Sequence, residues 1–191
     1  MLPSRLESYL VPVSAAKAHD QVRRGEHRGT ELTACLDDAL RRRGARSRFD
    51  CYYDVILSQG THLGTPRVAR VYTFDVQDQP TYRVTTVFTV QRDGTFTGFK
   101  GYFVATLSES VALDISGDDI EGRTASDSWK HCYLPVEEPV AVVPGDRIRL
   151  VLERSYPSPG GVFGQRYRWE GEVVRGVTVI TRFEHDTRPR G

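Results

Sequence analysis

The sequence predicts a mainly β fold, an antiparallel β-barrel or sandwich with a helical arm inserted near the N-terminus, and three observations carry that prediction. From Phe49 onward, short aromatic and β-branched runs are separated by Gly, Pro and Asp at intervals suited to antiparallel strands. "DRIRLVLE" sets Ile148, Leu150 and Leu152 against Arg147, Arg149 and Val151, and "RYRWEGEV" sets Tyr167, Trp169, Gly171 and Val173 against Arg166, Arg168, Glu170 and Glu172. Period-two alternation of this kind gives each strand one buried and one wet face. The third observation is a block of helical period, in which Leu32, Cys35, Leu36, Ala39 and Leu40 fall at i, i+3, i+4, i+7 and i+8.

Taken in chain order, residues 1–14 read as an edge strand, because Leu6, Tyr9, Leu10 and Val13 suit a core while Pro3 and Pro12 preclude a long helix. Between Lys17 and Arg48 the period turns helical. Thr30 is the expected N-cap, Arg41, Arg42 and Arg43 suit the negative end of the helix dipole, and Gly44 supplies the stop. In "TYRVTTVFTVQRDGTFTGFKGYFVATL" the spacing predicts a hairpin: Tyr82 to Val90 going out, Asp93 and Gly94 turning, Thr95 to Leu107 returning. Ser155 to Gly161 and the charged tail of residues 184–191 read as surface segments. One domain over 1–191, with an arm over residues 18–48, is the expected organisation.

Composition excludes several classes of function. At 39% hydrophobic and 27% charged residues, the chain of 191 residues is neither disordered nor membrane-embedded in character. A formal net charge of +1 gives it no overall field for DNA, RNA or an acidic membrane, so neither nucleic acid nor membrane is an expected partner. Its positive charge is almost all arginine, with Lys17, Lys100 and Lys130 as the lysines. Cys35, Cys51 and Cys132 form no disulfide framework or paired metal knuckle and read as small buried apolar residues. With no run of roughly 18 apolar residues, a cytoplasmic location is expected.

The chemistry-bearing residues point away from a self-contained enzyme. A cofactor site in an α/β fold needs a glycine-rich turn between strand and helix, and Gly160, Gly161 and Gly164 instead lie between β-like segments after two prolines. His19, His27, His62, His131 and His185 are scattered without metal-ligand spacing, so no metal site is expected. Adjacent His131 and Cys132 invite a base and nucleophile reading, but strand neighbours point to opposite faces, leaving a buried thiol beside a surface imidazole. Asp118 with Asp119 and Glu137 with Glu138 read as solvated pairs without a catalytic role.

Taken together, "SRLESYLVPVS", "YYDVILSQGTHLGTPRV", "FTVQRDGTFTGFKGYFVATLSESVALDIS", "SDSWKHCYLPVEEPVAVVPGD" and "FGQRYRWEGE" resemble the C-terminal half of the protein arginine methyltransferase family over nearly the whole chain. In that family an S-adenosylmethionine-binding α/β domain precedes a β-barrel, and a helical dimerisation arm is inserted early in the barrel; the Thr30 to Gly44 block falls in the matching place. The family carries a Thr-His-Trp loop followed by Lys-Gln, a strand and a Gly-acidic turn, and "DSWKH" with "PGD" falls in that register. Trp129 matches the family tryptophan, while Asp127 and Ser128 stand where the family has threonine and histidine.

The resemblance implies a substrate-facing site at Asp127, Ser128 and Trp129, with no catalytic group on this chain. It implies a partner-binding face at Leu32, Cys35, Leu36 and Leu40, toward a methyltransferase-domain chain, a second copy, or both. S-adenosylmethionine is then expected on the partner domain rather than here, and a protein is the expected substrate. The alternative reading is a stand-alone β-barrel that binds a protein or small ligand without catalysis, because a shared barrel does not by itself fix the chemistry.

Overall fold

In a computed structural model, residues 3–25, 47–73, 81–117, 130–155 and 166–187 are described. They build two antiparallel sheets and one short helix. The first sheet contains β1 (Arg5–Val13), β2 (Tyr53–Val55), β3 (Arg67–Thr73), β5 (Gly94–Thr106), β6 (Ala112–Asp114) and β7 (His131–Val142). Its order is β2-β7-β5-β1-β3, and β6 extends it beside the far end of β5. The second contains β4 (Tyr82–Thr89), β8 (Arg147–Ser155), β9 (Arg166–Arg175) and β10 (Thr178–Asp186), in the order β10-β9-β8-β4. The edges approach each other at β3 with β4 and at β7 with β10, but among the described residues no strand pairing closes the two sheets into a barrel.

The alternation read from the sequence sets the inner core. Ile148, Leu150 and Leu152 of β8 and Trp169 and Val173 of β9 point inward against Leu10, Phe96, Phe99, Leu134 and Val136 of the first sheet. The Trp169 indole Nε1 donates to the Pro135 carbonyl at 2.8 Å, tying the second sheet to the first and satisfying the one polar atom of a fully buried ring.

Phe96 and Phe99 are three apart yet share this core, which strict alternation forbids. A bulge between Phe96 and Gly98 restores the phase, with Gly98 at φ 147. A Cβ on Gly98 would lie 2.3 Å from the Leu134 carbonyl oxygen, so the close approach also demands glycine. Thr97, thereby turned outward, accepts a hydrogen bond from the Ala15 N–H and donates to the Val13 carbonyl, fixing the start of the helix.

That helix, α1 (Ala16–Arg24), begins two residues before the predicted arm of 18–48 and ends at Gly25, whose φ of 72 forms a left-handed cap. It lays Ala18, His19 and Val22 on the outer face of the first sheet, where Val11, Val13, Phe49, Tyr53, Leu57 and Tyr133 complete a second core. Residues 26–46, including the predicted Thr30 to Gly44 helix with Cys35, lie outside the described residues.

Two strand expectations are corrected. β1 is an interior strand, paired to β3 on one side and β5 on the other. Pro12 is tolerated because the pairing to β3 ends at Leu10 opposite Arg67, and the missing donor lies on that side, where the Pro12 carbonyl accepts from Leu63 N–H. Nor do Tyr82–Val90 and Thr95–Leu107 form a hairpin: β4 pairs with β8, and β5 pairs with β1, β7 and β6. The Val90 N–H donates to the Asp146 carbonyl and the next N–H, of Gln91, donates to the Leu63 carbonyl, so the chain passes from one sheet to the other at this corner. Gly94 serves close packing rather than a turn, since a Cβ there would lie 2.7 Å from Leu63 Cδ2.

Candidate binding site at the open end of the sandwich

The two inner faces can be followed row by row. In one row Pro12, Phe99 and Leu134 of the first sheet face the core, and Val84, Leu152 and Trp169 form a row in the second. One step along the strands the chemistry changes. Leu10, Gly101 and Cys132 are aligned across β1, β5 and β7, and Tyr82, Arg154 and Tyr167 across β4, β8 and β9. Gly101 contributes no side chain and the second row is polar, so a cavity of about 200 Å³ opens between the sheets. Leu134 and Leu152 line its inner end, and Lys130, the residue that follows Trp129, also lines it.

Positive charge and neutral phenols face this space. The Arg154 guanidinium donates to the Tyr72 hydroxyl at 3.2 Å and approaches the phenol of Tyr82. Burial pushes the Tyr82 phenol up to about 12 and raises the Tyr167 phenol as well, so both keep their protons at neutral pH. Tyr52 meets Tyr167 edge-on at 5.0 Å and packs behind it. The Cys132 thiol is also pushed up to about 12, by burial first and the Asp54 carboxylate second, which makes it a poor nucleophile. Asp54 lies opposite Cys132 on β2 and is exposed. No carboxylate belongs to the described residues that line the cavity.

Behind Cys132, on the other face of the sheet, lies a polar cluster that the sequence reading missed. His131 and Cys132 do point to opposite faces, but the imidazole is fully buried rather than on the surface. The Leu57 N–H donates to His131 Nδ1 at 2.9 Å, so the ring proton sits on Nε2, which donates to the Ile115 carbonyl at 2.7 Å. Burial, with the nearby Lys100 charge, lowers His131 to about 4. Lys100, also fully buried, donates to the Leu57 and Ser116 carbonyls at 2.7 and 2.6 Å, and His62 beside it is lowered to about 4 for the same two reasons. A lone lysine in "GFKGYF" gave the one signal, an ammonium at a position whose strand neighbours are apolar.

The other residues read from the sequence are separated. Asp127, Ser128, Trp129, Leu32, Cys35, Leu36 and Leu40 lie outside the described residues, as do Asp118 and Asp119. Glu137 and Glu138 are exposed as expected. His19 and His185 serve structure: one meets the Val136 carbonyl at 2.9 Å, and the other accepts from Glu137 N–H and meets the Asp50 carboxylate at 3.3 Å. Among the described residues no group of three metal-ligating side chains comes together.

The described residues thus form a two-sheet β domain whose chain turns from β1 directly into a helix, with a cavity between the sheets at one end. Residues 5–169 match the family described as the PRMT5 oligomerisation domain, and the chain belongs to that family, the C-terminal β domain of protein arginine methyltransferases. The fold is similar to the Trypanosoma brucei PRMT1 of an enzyme–prozyme heterotetrameric complex with AdoHcy, at 15% identity and a TM-score of 0.67 over 100% of this chain and 60% of that one. It is similar to Arabidopsis thaliana protein arginine methyltransferase 10 at 14% identity and a TM-score of 0.71, over 98% and 61% of the two chains. A PRMT6 structure matches at 12% identity and a TM-score of 0.58, over 91% of this chain and 55% of that one. The chain therefore spans somewhat over half the length of each of these three proteins.

The cavity does not fit S-adenosylmethionine. At about 200 Å³ it falls below the roughly 300 Å³ at which sites for drug-sized ligands begin. Arg154 and Lys130 would face the sulfonium with like charge, and no lining carboxylate is present among the described residues to meet a ribose.

Proposed function

We propose that this chain acts as the barrel-and-arm partner in a protein arginine methyltransferase assembly, supplying oligomer contacts and the wall on the substrate side. The methyl donor is then held by a methyltransferase-domain chain. The observation that carries this reading is the match of residues 5–169 to an oligomerisation domain. The enzyme–prozyme complex among the similar structures supports it, because there an enzyme is paired with a second, differently named chain.

Methyl transfer to nitrogen is a direct displacement, which needs alignment and a dry pocket more than acid and base groups. Within the assembly Trp129 excludes water and stacks on the substrate, Asp127 attracts its cationic group, and Ser128 supplies a hydrogen bond. The apolar face of Leu32, Cys35, Leu36 and Leu40 docks on the partner or on a second copy.

The test mixes the purified chain with labelled S-adenosylmethionine, alone and together with any methyltransferase-domain protein encoded beside it. Label transfer in the mixture only, with a stable complex, is the expected result. Transfer by the chain alone overturns the reading; a stable monomer that forms no complex with such a protein also overturns it and favours a non-catalytic interaction module. Within an active complex, Trp129→Ala is expected to cut methylation at least about tenfold while leaving the melting temperature within a few degrees.

A further inference from the structure

We propose, on the reading that Trp129 bounds the substrate, that His131 and Lys100 are positioning residues, which pin both ends of the connection from Gly117 to Lys130 to one place on the first sheet. Topology gives the first ground. β1 runs along one edge of β5 from Gly98 to Thr106, so β6 and β7 share the other edge. There they follow one another in a single line: Asp114 stands opposite Val104, the Ile115 N–H donates to the Phe103 carbonyl, and Cys132 stands opposite Gly101. The chain thus leaves the edge of β5 beside Phe103 and rejoins it beside Gly101, so residues 116–130 are an insertion in what would otherwise be one long strand.

At that break two side chains on the outer face of the sheet take over from the ladder. His131 Nε2 donates to the Ile115 carbonyl at 2.7 Å, and the Gly117 backbone is a further partner of the ring. Lys100 Nζ donates to the Ser116 carbonyl at 2.6 Å. Both also hold Leu57, whose N–H donates to His131 Nδ1 at 2.9 Å and whose carbonyl accepts from Lys100 at 2.7 Å. His131 therefore ties the residue at which the chain returns to the one from which it departs, and Leu57 links the two side chains. Each bond asks for a particular atom: the ring must accept on one nitrogen and donate from the other, and the ammonium must bridge two carbonyls. Apolar bulk would fill the same space without holding either end. Trp129 stands two residues before His131, so few torsions separate it from the tie and a shift there is passed on to it.

The test follows the indole N–H signals of Trp129 and Trp169, the two tryptophans of the whole 191-residue chain, by NMR; the second gauges whether the inner core is intact. His131→Leu is expected to shift the Trp129 signal, to leave that of Trp169 in place and to speed exchange of the Leu57 amide at least about tenfold. His131→Gln should restore both, because a carboxamide offers one acceptor and one donor as the neutral ring does. If His131→Leu does not fold, Lys100→Met, which releases Ser116 and keeps His131, should shift the Trp129 signal by a smaller amount. These signals are read without a partner, so they judge the tie whether or not methyl transfer is found. Within an active complex, His131→Leu should cut methylation at least about tenfold and His131→Gln by less than about twofold. A Trp129 signal unmoved in a folded His131→Leu or Lys100→Met, or moved as far by His131→Gln as by His131→Leu, would overturn the proposal. So would an active complex in which His131→Leu methylates as fast as the parent.

Discussion

The two faces of the first sheet are both buried, yet they are held in different ways. The inner face meets the second sheet through apolar rings and branched chains, with one indole N–H placed on a carbonyl. The outer face is covered by α1 and by irregular chain around residues 47–62, and there a lysine and an imidazole are buried as deeply as any leucine. Sheet against sheet needs no directional bonds between layers, because each backbone is already satisfied by its own ladder. Irregular chain laid on a sheet leaves N–H and C=O groups without ladder partners, and Lys100 and His131 supply those partners to Leu57, Ile115 and Ser116.

Breaking the inner face should produce the largest effect. Trp169→Ala removes a ring with no exposure and takes the indole donor away from the Pro135 carbonyl, so a loss of about 4 kcal/mol is expected by denaturant unfolding. Gly98→Ala strikes the bulge that divides side chains between the two faces. With a positive φ and backbone 2.3 Å from the new Cβ, it is expected to cost about 3 kcal/mol, and Phe96 and Phe99 should lose their shared environment in aromatic NMR signals.

Lys100→Met sharpens the contrast, because it keeps bulk on the outer face and removes only the donors. A loss of about 2 kcal/mol is expected, since the Leu57 and Ser116 carbonyls lose their ammonium. The same substitution should raise the His131 and His62 pKa values, each held down in part by that charge, and NMR titration reads this directly. If stability were unchanged, the outer layer would be held by apolar contact after all.

The pH dependence follows from the same cluster. His131 and His62 have folded pKa values of about 4 against 6.5 for the free group, so their contribution to stability is complete above pH 6.5 and is lost as pH falls toward 4. Below 6.5 the unfolded chain takes up protons that the folded chain refuses. For the fully buried His131 the slope approaches about 1.4 kcal/mol per pH unit within that window, and His131→Gln should flatten the curve measured between pH 7 and 4. The smallest effect belongs outside both faces: Arg149→Ala removes a surface pair with Glu172 and should cost about 0.5 kcal/mol or less.

Much of the sandwich was legible. Alternation in β8 and β9 placed Ile148, Leu150, Leu152, Trp169 and Val173 correctly, because a strand with one wet face writes its burial into every second residue. The hairpin was misread for a reason visible in its own residues. Asp93 and Gly94 carry a turn signal that a tight hairpin and a sheet-to-sheet corner share, and only the partner of Val90, the Asp146 turn more than 50 residues away, tells them apart. Similarly, Pro12 marks a strand with one missing donor but not where the neighbouring strand stops. Trp129, which lies outside the described residues, stood out by family resemblance, whereas the cavity did not, since Leu10, Gly101, Cys132 and Arg154 come from four separate strands.

By itself the sequence determined that these residues form antiparallel strands with buried and wet faces, and that they belong with the methyltransferase barrel. Those properties are local, carried by the period of side chains along the strand and by short motifs. Which strands pair, that β4 crosses to the second sheet, that Lys100 ends among carbonyls and that a glycine faces a row of tyrosines and arginine were decided only in three dimensions. They depend on backbone groups far apart in the chain finding partners together, and no single stretch of residues records that requirement.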